Sequence, residues 1–94
     1  MAIKNFKDKE AKKISDGKFS HKLPQQIQQR ARESLKQLDA AVNLSDLLIP
    51  PSNRLERLSR DRMGQHSIRI NQQYRVCFVW EQENALDVEI SDYH

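Results

Sequence analysis

The chain holds a single cysteine, Cys77, so no disulfide can close within it and the fold must rest on packing alone. That composition suits a reducing compartment. Long apolar runs are missing as well: the longest, Val76 to Trp80, is far too short to cross a bilayer, and the amino-terminal stretch MAIKNFKDKEAKK offers no apolar segment fit for a secretion signal. A cytoplasmic protein with no membrane contact is expected. His21, His66 and His94 share no metal-ligand spacing with one another or with Cys77, so no zinc site is expected; a cofactor is not expected either. Repeats, low-complexity tracts and linkers are also absent, and 94 residues fit one domain spanning 1–94.

Charge is present and unevenly placed. Residues 1–22 carry seven Lys against Asp8, Glu10 and Asp16, and residues 23–53 are balanced. Residues 54–75 carry six Arg (54, 57, 60, 62, 69 and 75) against Glu56 and Asp61, while residues 76–94 carry five acids and no Lys or Arg. A solvated basic face is the plain reading of such a block. The choice of Arg at all six positions favours phosphate contact instead, because the planar guanidinium grips phosphate through paired N–H groups.

The order of elements follows from periodicity. Ile3 to Phe6 alternates as a first strand, and Asp8 to Ser15 has helical composition that Asp16-Gly17 stops. Pro24 sits at the first turn of a longer helix, where Ile27, Ala31, Leu35, Leu38 and Val42 recur at helical spacing down to about Ala41. Asn43 or Ser45 caps one further short turn through Leu47, and Pro50-Pro51 opens a loop. Period two then takes over: Arg54 to Leu58, Ser67 to Ile70, Tyr74 to Trp80, and a last strand marked by Leu86, Val88 and Ile90. The expected class is α+β, with an N-terminal strand and helices packed on one face of a mainly antiparallel sheet.

Register brings charge together. If Asn71-Gln72-Gln73 is a three-residue loop, Ile70 pairs with Tyr74 and Arg69 faces Arg75 on the side away from Ile68, Ile70, Val76 and Phe78. A following turn centred on Glu83 sets Trp80 opposite Leu86 and Arg75 opposite Ser91, with Tyr93 diagonal on the same face. Two facing arginines call for a bridging acid, for which Glu89 has the right parity, or for a phosphate.

The chain ends in Asp92-Tyr93-His94, a carboxylate, a phenol and an imidazole in succession. Taken alone this is either a tail or half of a site. Cleaving RNA by 2′-hydroxyl attack needs one group to take a proton, one to give a proton, and a cation to steady the phosphorane; Asp92 and His94 suit the first two tasks and Arg75 the third. Cys77 reads as packing within its strand.

Taken together, Asp61-Arg62-Met63-Gly64 through Ile70, then Gln73-Tyr74-Arg75-Val76-Cys77-Phe78, then Asp92-Tyr93-His94 resemble the HigB group of the RelE superfamily, a likeness covering nearly the whole chain. The resemblance implies the toxin of a type II toxin–antitoxin pair, a metal-independent endonuclease acting on mRNA in the ribosomal A site. It also implies a HigA-type helix-turn-helix antitoxin as partner, and contact with operator DNA only through that complex. Under the same resemblance Arg75 binds the scissile phosphate, Asp92, Tyr93 and His94 form the carboxy-terminal part of the site, and Arg62 supports it. The group carries Leu-His-Pro-Leu-Lys where this chain has Leu55-Glu56-Arg57-Leu58-Ser59. Glu56 therefore becomes the candidate base, and Arg57 and Arg60, with Arg69, the candidate RNA-binding cations. A weaker nuclease is expected; the competing classes are an RNA- or ribosome-binding inhibitor without cleavage, and a plain protein-interaction module.

Overall fold

A computed structural model describes residues 1–92. Helix α1 (Lys9–Ser15) starts where the Asp8 carboxylate accepts the Glu10 backbone N–H at 3.0 Å, and it ends at Asp16 and Gly17, the glycine adopting φ +82°. Helix α2 (Gln25–Ala40) follows directly after Pro24, whose fixed φ feeds the first turn. Ile27, Ala31, Leu35 and Leu38 are buried at three-to-four-residue spacing, as expected. Val42 is not part of that stripe: it is 55% exposed. The Asp46 carboxylate captures the N–H groups of Val42 and Asn43 at 2.9 and 3.0 Å, which turns the chain out of the helix after Ala40 and caps a 3₁₀ turn at Leu44–Leu48.

Four antiparallel strands follow, β1 (Glu56–Arg57), β2 (Gln65–Arg69), β3 (Tyr74–Glu81) and β4 (Asn84–Asp92), ordered β1-β2-β3-β4 in the sheet. Strand β1 is shorter than the expected Arg54 to Leu58 because Arg54 takes a left-handed conformation, φ 45°, in closing the Pro51–Asn53 turn. Arg60, at φ 56°, bends the chain again after it.

The β2–β3 loop has the expected length, with Ile70 N–H bonded to Tyr74 O at 3.0 Å and Arg69 opposite Arg75. The Asn71 side chain shapes it by accepting the N–H groups of Gln73 and Tyr74. The β3–β4 turn differs from expectation. Glu81 pairs with Asn84 across two residues only, Gln82 and Glu83, both at positive φ, the geometry whose twist matches that of the flanking strands. Trp80 therefore meets Ala85 and not Leu86. A bulge then adds one residue to β4, so that Cys77 meets Glu89 and Arg75 meets Ser91 after all.

The bulge also explains the N-terminal segment. Ile3 and Phe6 bridge in parallel to Ala85 and Val88 instead of forming a continuous strand. Between them Asp87 stands at φ 52°, and the Asn5 amide fills the gap, donating to the Asp87 carboxylate at 2.9 Å and accepting its N–H at 3.0 Å. One further effect is on side-chain direction: Ala85 and Val88 both turn into the core, whereas Leu86, opposite Val79, stands on the other face. Ile68, Ile70, Val76, Phe78, Val88 and Ile90 thus pack beneath Ala11 and Ile14 of α1 and the apolar stripe of α2. Each large side chain so buried stabilises the fold by roughly 1.5–3 kcal/mol. Among the described residues no helix is long and apolar enough to cross a membrane.

Candidate functional site

Strand alternation places Glu56, Ser67, Arg69, Arg75, Cys77, Glu89 and Ser91 on the sheet face away from the helices. Arg75 is the centre of this face, and its side chain is only 9% exposed. Its Nε donates to Ser67 Oγ at 2.7 Å, its Nη2 donates to the carbonyl oxygen of Arg54, and its Nη1 lies 3.6 Å from Glu56 Oε1. The ring of partners fixes the guanidinium plane, while Glu56 itself is half exposed. A buried cation is thus held from behind and faces a carboxylate at the surface.

A second arginine enters from the Arg60–Arg62 turn. Arg62 Nη1 donates to Gln65 Oε1 at 3.1 Å and Glu89 Oε2 at 3.3 Å, and its Nη2 donates to Ser91 Oγ at 3.1 Å. Lys7 approaches Glu89 at 3.6 Å. Glu89 therefore serves Arg62 and Lys7, and among the described residues the acid paired with Arg75 is Glu56. The reason is reach: β1 lies beside β2 with Glu56 opposite Ser67, so the Arg75 side chain, lying across Ser67, ends at Glu56.

Not every expected residue joins them. Arg69 is in register with Arg75, but its Nε turns back to the Asn71 carbonyl at 3.1 Å. Asp92 pairs with Tyr74, which gives it the opposite parity to Arg75, and its Oδ2 accepts from the Gln73 amide at 3.0 Å. Arg57 pairs with His66 on an exposed edge, and Arg60 is exposed in its turn. Tyr93 and His94 lie outside the described residues.

Burial pushes the Cys77 thiol up from its ordinary pKa, so it is a protonated packing group beneath the arginines. Burial, with the Arg57 charge second, holds His66 below the usual imidazole range, and it stacks on Phe78 at a centroid distance of 6.1 Å. Among the described residues no group of three or more His, Cys, Asp or Glu is placed to hold a metal ion.

The chain and its fold of two helices on a four-stranded sheet have matches among known proteins. Residues 4–94 match the family model of HigB-like toxins, described as RelE-like toxins of the type II toxin–antitoxin system HigB. The chain belongs to the HigB-like toxin family. Toxin HigB-1 of Vibrio cholerae serotype O1 is 39% identical over 94 residues, covering 99% of this chain and 98% of that protein. An uncharacterized protein of Haemophilus influenzae is 34% identical over 68 residues, 72% of this chain and 65% of that protein. The structure of the YoeB–YefM complex from Staphylococcus aureus superposes with a TM-score of 0.58 at 18% identity, over 99% of this chain and 93% of that one, a likeness of fold.

As a RelE/HigB-type toxin of a type II toxin–antitoxin system, the chain carries an arginine network of which the sequence showed one part. Ser67 was not singled out from the sequence, although it shares the parity of Arg75 on the facing strand, the one signal that could have found it. The Arg54 carbonyl and the Arg62–Glu89–Ser91 contacts had no local signal, since they join residues 21, 27 and 29 positions apart.

Proposed function

We propose that this HigB-like toxin is a ribosome-dependent mRNA endonuclease that inhibits translation by metal-independent cleavage in the A site. The observation that carries the reading is the Arg75 guanidinium, nearly buried, oriented by Ser67 and Arg54, and facing the half-exposed Glu56 carboxylate. In the proposed reaction Glu56 takes the proton from a ribose 2′-hydroxyl, whose oxygen bonds to the adjacent phosphorus. Arg75 steadies the charge of the phosphorane. The 5′-oxygen leaves with a proton supplied by His94, giving a 2′,3′-cyclic phosphate and a 5′-hydroxyl. Tyr93 completes the carboxy-terminal part of the site, Asp92 stands at the strand end that leads into it with its side chain of the opposite parity to Arg75, and Arg57, Arg60, Arg62 and Arg69 guide the RNA.

The reading includes a HigA-type helix-turn-helix antitoxin as neutralising partner, operator DNA contacted through that complex, and the cytoplasm as the place of action. Membership of a toxin–antitoxin family supports an antitoxin partner. A second reading, an RNA- or ribosome-binding inhibitor that has lost cleavage, is favoured by Glu56 and Ser59 standing where the resembling group has His and Lys.

Tightly controlled expression of wild type, Arg75→Ala and a His94 deletion, with mapping of mRNA 5′ ends within codons, separates the readings. Cleavage by wild type that both variants lose supports the nuclease; arrest without new ends supports the second reading. Equal growth inhibition and identical ends in all three remove the proposed site.

A further inference from the structure

Around the corner from Arg75 lies a cleft of about 540 Å³, bounded by α2, the Pro51–Asn53 turn and the β2–β3 loop. Three arginines line it, Arg30, Arg54 and Arg69, together with Ser52 and Asn71, and none of its lining residues is acidic. Among the described residues no carboxylate lies within 4.0 Å of any of these three guanidinium groups, whereas Arg62 and Arg75 each have one, at 3.3 and 3.6 Å. Two of the three are anchored by one hydrogen bond each, Arg30 Nη2 to Ser52 Oγ at 3.4 Å and Arg69 Nε to Asn71 O at 3.1 Å. Their other N–H groups remain available to a ligand.

Like charges gathered from three separate elements repel one another unless a counter-charge occupies the space between them. We infer that this cleft is a phosphate-binding site for the backbone of an RNA strand, separate from the Arg75–Glu56 pair and filled by the phosphodiesters next in line. Continuity favours RNA as the occupant. The Arg54 carbonyl that accepts from Arg75 belongs to the same residue whose side chain lines the cleft, so the two sites share one stretch of backbone. A strand that presents one phosphate to Arg75 carries its neighbours past Arg54. The donor set agrees: planar guanidinium groups take phosphate oxygens in pairs, and the Ser52 hydroxyl and Asn71 amide add neutral donors.

The inference deepens the RNA-directed reading above and rests on it for the identity of the ligand, but its test needs no cleavage. The probe is a short, fully 2′-O-methylated single-stranded RNA, which cannot be cut, titrated by fluorescence anisotropy against the full chain over a range of salt. Each single-strand phosphate contact contributes a slope of about 0.7 in log K against log salt, so Arg30→Gln with Arg69→Gln is expected to shallow the slope by about 1.4. Affinity at low salt is expected to fall roughly tenfold. Lys9→Gln with Lys36→Gln removes the same charge outside the cleft and is expected to change the slope by less than half as much. Both pairs must retain the wild-type melting temperature, which their exposed or half-exposed positions favour.

Five outcomes are decisive. Loss confined to the arginine pair supports the site, even if mapping of mRNA ends shows no cleavage and the nuclease reading fails. Equal loss in both pairs reduces the cleft to general charge and overturns the inference. An unchanged slope in the arginine pair, or no salt-dependent binding by wild type, overturns it whether or not cleavage occurs. Unchanged RNA binding with weakened binding of the antitoxin also overturns it, by making the cleft a protein contact.

Discussion

Replacing Glu56 with Gln separates structure from chemistry at the proposed site. The change removes one charge from a pair whose atoms lie 3.6 Å apart, and it keeps the side-chain shape. Two unit charges about 4 Å apart interact by about 1 kcal/mol in water and about 4 kcal/mol at an effective dielectric of 20. The Glu56 side chain is 50% exposed, so solvent screening pulls the contribution towards the lower figure. Arg75 also keeps Ser67 and the Arg54 carbonyl in the variant. A loss of about 1 kcal/mol is expected, or a fall of about 4–8 °C in melting temperature for a chain of this size. Loss of a general base lowers rate by about 10²–10⁴-fold, equivalent to about 2.7–5.4 kcal/mol at the transition state. The catalytic effect thus exceeds the structural one and is measurable on folded protein.

The assay is single-turnover cleavage of mRNA on programmed ribosomes with toxin in excess, alongside thermal melting. Glu56→Gln is expected to bind the programmed ribosome as tightly as wild type, or more tightly, since a negative charge beside Arg75 has gone. Glu56→His, which introduces the residue of the resembling group, is expected to recover cleavage. A Glu56→Gln variant that cleaves at the wild-type rate while melting lower refutes the base assignment and leaves Glu56 a counter-ion of Arg75.

Three further predictions concern the scaffold. Gln82→Asn with Glu83→Gly suits two consecutive positive-φ positions and is expected to stabilise by about 0.5–1 kcal/mol, read as a higher urea midpoint at unchanged slope; a lower midpoint contradicts the turn geometry. Hydrogen bonds from the Asn43 and Val42 N–H groups hold the Asp46 carboxyl below the ordinary aspartate value. Its stabilising contribution is therefore complete above the unfolded pKa and drains away as pH falls through the lower folded one, so Asp46→Asn should flatten the acid limb of a melting-temperature profile and lower the plateau. Burial raises the Cys77 thiol pKa, so alkylation at neutral pH should proceed only as fast as the chain opens, and fast labelling of native protein would count against the packing described.

How much the sequence made legible depends on the range of each interaction. The buried stripe of α2 was visible because helical periodicity is local, and it failed only at Val42, where Asp46 competes for the backbone four residues away. The facing of Arg69 and Arg75 was visible because a short loop fixes register. The facing of Arg75 and Ser91 was also expected, yet for an incomplete reason: a shorter turn and a bulge offset each other, and nothing near Asp87 marks a bulge.

The amino-acid order by itself determined the class of fold, the two faces of the hairpin strands, the clustering of arginine between residues 54 and 75, and the motifs that resemble HigB toxins. Tertiary structure alone decided which acid serves which arginine. Parity offered Glu89 to Arg75, but the neighbouring strand delivered Glu56, while Arg62 swung in from its turn to take Glu89. It also decided that Arg30 of α2 meets Arg54 and Arg69 across one cleft. Periodicity tells which side of an element a residue faces; which distant residue waits there depends on how sheet, turns and helices pack, and no local pattern encodes that.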